Sequence, residues 1–190
     1  MRRLLPLLAA AAVVAAGCTT EATERPPAPS APPAAPAPAR PREIRLDGVD
    51  PCSLLTPQQR AELGFTSRPS ASRPYVELFG GDVPTCTMDS PSTDPRILGI
   101  GTVTSVGVER WRTGDLAART EWTSVEGFPA VVAQPTRSSS YCAVEVDVAS
   151  GQLLDVQLID AGHRPPLPQE ELCSGARRAA AAVVRSLLAR

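Results

Sequence analysis

The sequence predicts an α+β domain, an antiparallel β-sheet packed by a short N-terminal helix and a long C-terminal helix and closed by two disulfides. Three observations carry this. First, Val144, Val146 and Val148 alternate with Glu145 and Asp147, and a second β-rich run from Gln152 to Asp160 follows Ser150–Gly151. That is the pattern of a hairpin with one buried face. Second, Leu172, Ala176, Ala179, Val183 and Leu187 recur at helical spacing, with Arg177, Arg178 and Arg185 off the stripe. Third, Cys52, Cys86, Cys142 and Cys173 form an even set in a chain that begins with an export-like leader.

The elements follow in chain order. Met1–Arg2–Arg3 is a short basic start, and Leu4 to Ala16 is an apolar run broken only by Pro6. As a helix that run reaches about 20 Å, short of the roughly 30 Å hydrocarbon core, so residues 1–17 read as a signal peptide and not as a permanent span. The run ends Ala15–Ala16–Gly17–Cys18, which resembles the lipobox of bacterial lipoproteins, with Ala15 where Leu is commoner. The resemblance implies cleavage before Cys18 and lipidation of its thiol, and two or more acyl chains anchor stably. Residues 18–45 are biased toward Pro, Ala and Arg, with eight prolines between Pro26 and Pro41. Proline fixes φ and removes donors, so the stretch reads as an extended, disordered tether. Residues 46–190 are then one domain.

Within the domain, Thr56–Pro57–Gln58–Gln59 has the form of a capping box, opening a helix that runs to Leu63 and stops at Gly64. Arg68 to Pro84 is loop-like, with three prolines and Gly80–Gly81. Thr85–Asp89 and Ile97–Ser105 read as strands, and Glu121–Val125 and Ala130–Ala133 flank a Gly127–Phe128–Pro129 turn. Leu167 to Leu188 is the clearest helix. The four cysteines allow three connectivities. The sequential pairing, Cys52–Cys86 and Cys142–Cys173, is favoured and would staple the last helix to the central hairpin. A four-thiolate zinc site needs close CxxC pairs, which spacings of 34, 56 and 31 do not provide.

Composition excludes several chemistries. All 19 basic residues are Arg and the only imidazole is His163. A Schiff-base lysine, a Ser–Lys dyad, a P-loop and a multi-histidine metal site are therefore out of reach of one chain. Without residues 1–17 the chain has 17 Arg against 20 acids and no basic run, which argues against nucleic acid as a partner. No GxSxG elbow and no calcium-loop spacing is present. No cofactor and no metal is expected.

One resemblance extends over most of Asp50 to Leu188. Asp50–Pro51–Cys52–Ser53–Leu54–Leu55–Thr56, the mid-chain Cys86, Gly127–Phe128–Pro129–Ala130, the strand Cys142 and the helix Cys173 occur in the order seen in actinobacterial lipoproteins grouped as domain of unknown function 3558. Met88 stands where that family often has Trp. The resemblance implies a cell-envelope location and supplies no activity.

The sequence thus points to a non-catalytic binding or structural module held at the outer face of the cell membrane through Cys18, meeting an envelope protein, a lipid or a small ligand. Tyr75 and Phe79, on the loop 68–85, are candidate contact anchors. Arg110–Trp111–Arg112 could stack on an anionic or aromatic ligand. A second reading is an envelope hydrolase or transferase in which His163 acts as general base beside carboxylates. It requires His163 and two acids to converge in one cleft. Asp47, Asp50, Asp89 and Asp94 suit capping and turns better.

Overall fold

The computed structural model describes residues 39–190. The apolar leader, Cys18 and most of the proline-rich stretch lie outside the described residues. Among the described residues seven strands form one antiparallel sheet in the order β1-β4-β5-β9-β8-β7-β6. These are β1 (Ser70–Ser72), β4 (Thr85–Asp89), β5 (Arg96–Val103), β6 (Ala118–Val125), β7 (Phe128–Pro135), β8 (Tyr141–Ala149) and β9 (Gln152–Asp160). A two-stranded ribbon, β2 (Tyr75–Val76) with β3 (Gly81–Asp82), stands apart from it. Two helices complete the fold, α1 (Pro57–Glu62) and α2 (Gln169–Leu188).

Local chemistry sets most boundaries. Thr56 caps α1 by accepting from Gln59 N, and the Gln59 side chain accepts from Thr56 N in return. Gly64, at φ 87°, lets the chain leave the helix. Helix α2 starts two residues later than the periodicity predicts, after Pro168 at its N-cap. The β6–β7 turn is Glu126–Gly127, both with positive φ, so Phe128 and Pro129 enter β7 instead of forming the turn.

The sheet has a core on each face. On one face α2 lays Leu172, Ala176, Ala179 and Val183 against Val144, Val146, Val156 and Leu158, all essentially inaccessible. The small residues of α2 bring it close: a Cβ on Gly175 would lie 2.3 Å from Leu158. This layer is lined throughout by buried apolar side chains. Disulfides pair Cys142 with Cys173 and Cys52 with Cys86, each with Cα atoms 5.0 Å apart. The first ties α2 to β8; the second ties the 3-10 turn Pro51–Ser53 to β4. All four described cysteines are thereby held in disulfides.

The structure departs from the sequence reading in three ways. Alternation correctly separates the valines of β8 from Glu145 and Asp147, but the polar side is not solvated: Glu145 is 1 % and Asp155 7 % exposed. Two short 3-10 segments, Glu77–Phe79 and Val108–Arg112, cover it. Arg68 to Pro84 is accordingly not a plain loop, since it contains β1 and the β2–β3 ribbon. Finally, residues 40–45 were expected in the tether, yet they belong to the domain. Arg40 pairs with Asp147 at 2.7 Å, and Ile44 N donates to Val148 O at 2.8 Å. Leu46 N donates to the Gln152 side chain at 2.7 Å, next to the β8–β9 turn. The apolar side chains of Ile44 and Leu46 join the helix-side core, which pattern reading missed because only two residues carry the signal.

Candidate functional site

The 3-10-covered face holds a partly open cleft of about 200 Å³ between Val108–Arg112, the start of β6 and the middle of β8. Its walls are apolar, formed by Leu78, Trp111, Leu116, Ala133, Pro135 and Ala143. Its floor is polar, formed by Tyr141, Glu145 and Gln157. Antiparallel register puts these groups together: Glu145 stands opposite Asp155 and Ala143 opposite Gln157 across β8–β9. On β5, Gly101 faces Asp155, where a Cβ would lie 3.4 Å from Asp155 Oδ2.

The electrostatics of this floor are unusual. Gln157 Nε2 donates to Asp155 Oδ2 at 2.8 Å. Glu145 Oε2, Asp155 Oδ1 and the Trp111 indole N–H are buried without a hydrogen-bond partner. Burial raises the pKa of Glu145 well above the usual carboxylate range, and the neighbouring Asp155 adds to the rise. Burial likewise pushes Asp155 up to about 7, against the lowering effect of Gln157. Both shifts favour the protonated acids. In that state they donate as well as accept hydrogen bonds.

His163 sits elsewhere, in the link between β9 and α2. Its Nδ1 meets Asp160 Oδ1 and its Nε2 meets Asp94 Oδ1, each at 2.9 Å, and Asp94 also pairs with Arg96. The hydrogen bond to Asp160 raises the His163 pKa; burial opposes this, and Asp94 adds to it. Burial disfavours ionised Asp160, but hydrogen bonds from the backbone N–H groups of His163, Leu167 and Gly162 outweigh it and leave its pKa far below the usual range. With both ring nitrogens engaged by carboxylates, the imidazole ties the β9–α2 link to Asp160 and Asp94.

Over residues 13–186 the chain matches the family described as protein of unknown function (DUF3558). The chain belongs to the DUF3558 family. No curated protein and no solved structure matches it.

In this DUF3558 chain the candidate residues fall at separate places. Tyr75 is 69 % exposed on the β2–β3 ribbon. Phe79 is not an exposed anchor: it folds back onto Val83, Val103 and Leu153. Arg110 donates to Thr113 Oγ1, and Arg112 stacks on Trp122, 4.1 Å from the ring centroid, so neither guanidinium waits for a ligand in the cleft. Trp111 is buried and lines the cleft. A broader opening of about 640 Å³ at the sheet edge is lined by Asp47, Asp50, Arg73, Asp82 and Thr85 among others. Here Asp50 caps a 3-10 turn, and Asp47 accepts from Gln152. Among the described residues no cluster of three or more His, Cys, Asp or Glu could hold a metal ion. No described helix is long and apolar enough to cross a membrane. Glu145, Asp155, Gln157 and Tyr141 were missed as site residues. The available signal was two acidic positions on strands that must pair around Ser150–Gly151.

Proposed function

We propose that this DUF3558 protein is an extracytoplasmic lipoprotein, anchored to the cell membrane through lipid on Cys18, that acts as a non-catalytic binding module of the envelope. The observation that carries the binding role is the cleft on the 3-10-covered face, with its apolar walls and the unsatisfied buried carboxyl of Glu145. Such a combination of apolar lining and few polar groups is how small-ligand sites are built. Export is supported by the two disulfides, which persist in oxidising compartments, and by the leader ending at Cys18. The family match begins at residue 13 and so takes in the Ala15–Cys18 box.

The hydrolase or transferase reading gains one of its requirements, since His163 does meet two carboxylates. It lacks the other, because both ring nitrogens are occupied and His163 lines none of the clefts described above. Intact-mass measurement of the natural product tests the anchor. The expected chain starts at a diacylglyceryl-modified Cys18, and Cys18→Ser releases the protein from the membrane fraction. An unmodified Cys18, or a Cys18→Ser chain that stays membrane-bound, overturns the anchor.

A further inference from the structure

Two buried acids face one another in this molecule with no cation beside them. Among the described residues neither Glu145 nor Asp155 makes an ion pair, and the chain has no Lys to supply one. The same sheet face treats Asp147 differently, bringing Arg40 to it from 107 residues away. Like charges directly opposite on paired strands destabilise a sheet, and an unpaired buried carboxyl costs more still. Replacing the pair by apolar residues would remove that cost, so the presence of one member, Glu145, at the floor of a partly open cleft calls for a partner from outside.

We propose that the cleft binds a small organic ammonium with a compact apolar body, its head on Glu145 and its body against Leu78, Trp111 and Leu116. The inference rests on the binding-module reading and specifies the ligand class. Size fits: a cavity of roughly 150 Å³ accepts benzene, and this one is about 200 Å³. Charge fits, because an ammonium has only donors and Glu145 Oε2 at the floor is an acceptor without a partner. Indole and aliphatic walls suit the apolar body and strengthen the ion pair by excluding water. The chemistry is a proton exchange. Glu145 gives its carboxyl proton to solvent and its carboxylate accepts hydrogen bonds from the incoming ammonium, so one proton leaves as one cation enters. The other ionisable groups nearby are Tyr141, on β8 at the floor, and Asp155, opposite Glu145 on β9; burial first, and then the two acids, raise the Tyr141 pKa.

The test titrates cyclohexylammonium, cyclohexanol and cyclohexanecarboxylate into the oxidised full chain carrying Cys18→Ser, which keeps lipid from absorbing the probe. Calorimetry in two buffers of different ionisation enthalpy reads affinity and proton release. Trp111 fluorescence, in a Trp122→Phe background, reports occupancy of the cleft. Cyclohexylammonium is expected to bind at least about tenfold tighter than either other probe, with release approaching one proton at mildly acidic pH. Glu145→Gln abolishes that preference and the proton release while leaving cyclohexanol within about twofold. Thermal unfolding confirms that the variant is folded. Equal binding of cyclohexylammonium and cyclohexanol, unchanged by Glu145→Gln, overturns the ammonium class and leaves the binding-module reading standing. No response of Trp111 to any probe overturns the site and removes the observation on which that reading rests.

Discussion

Glu145 shows how a side chain can be read correctly for direction and wrongly for environment. Its place opposite the valines of β8 follows from period-two alternation, but its burial depends on Val108–Arg112, about 35 residues upstream, and no local pattern announces that cover. Because folding must desolvate it, Glu145→Gln should stabilise the protein at pH 8 by at least about 1 kcal/mol and have little effect near pH 4, where the acid is already neutral. Thermal melts at the two pH values measure this. His163 has the opposite sign of usefulness. Its folded pKa is raised, so its contribution is fully present below its unfolded value of 6.5 and fades as pH rises through the folded one. His163→Ala should therefore lower Tm more at pH 6 than at pH 9. An equal loss at both would mean that the imidazole acts only by its shape.

At the scale of elements, α1, the β8–β9 hairpin and most of α2 were legible because caps, two-residue turns and amphipathic stripes are local chemistry. Strand order was not. The placement of β5 beside β9, and of β1 beside β4, is decided by contacts between distant stretches, and β1 carries no apolar residue larger than Ala71. The pairing of cysteines bridges the two scales: each disulfide closes a loop of 34 or 31 residues between elements that the sheet already brings together. Loop-closure entropy then gives roughly 3–4 kcal/mol per bridge. The Cys142→Ser/Cys173→Ser double variant is expected to lose about that much in denaturant unfolding, chiefly loosening α2. Gly175 marks where that helix presses on β9. Gly175→Val should cost about 1–3 kcal/mol by overpacking Leu158, visible as a lower denaturation midpoint.

For the whole molecule, the ionisable groups set a pH window. Glu145, Asp155 and Asp147 have raised folded pKa values, so stability declines as pH climbs from about 4 through about 7. Asp47, Asp94 and Asp160 have lowered values, so their contribution vanishes as pH falls below 3.8. Unfolding free energy is expected to peak between about pH 4 and 6.5 and to decline on both sides. A maximum above pH 8 would contradict the burial of the acid pair. Arg40 works at this scale as well. Asp147 is buried, and without the guanidinium its carboxyl has no counter-charge, so Arg40→Ala should cost about 1–3 kcal/mol and Arg40→Ala/Asp147→Asn should recover part of it in equilibrium melts.

The chain enters the fold at that same ion pair, with Ile44 bonded to Val148 beside the β8–β9 turn. Arg40–Asp147 and Ile44–Val148 therefore fasten the first described residues to the sheet, at the end of a strand that a covalent bridge ties to α2. Under load the segment would peel away as a short mechanical fuse, sparing the sheet behind it. The domain could give way by a few ångströms at its doorway and still keep its interior closed.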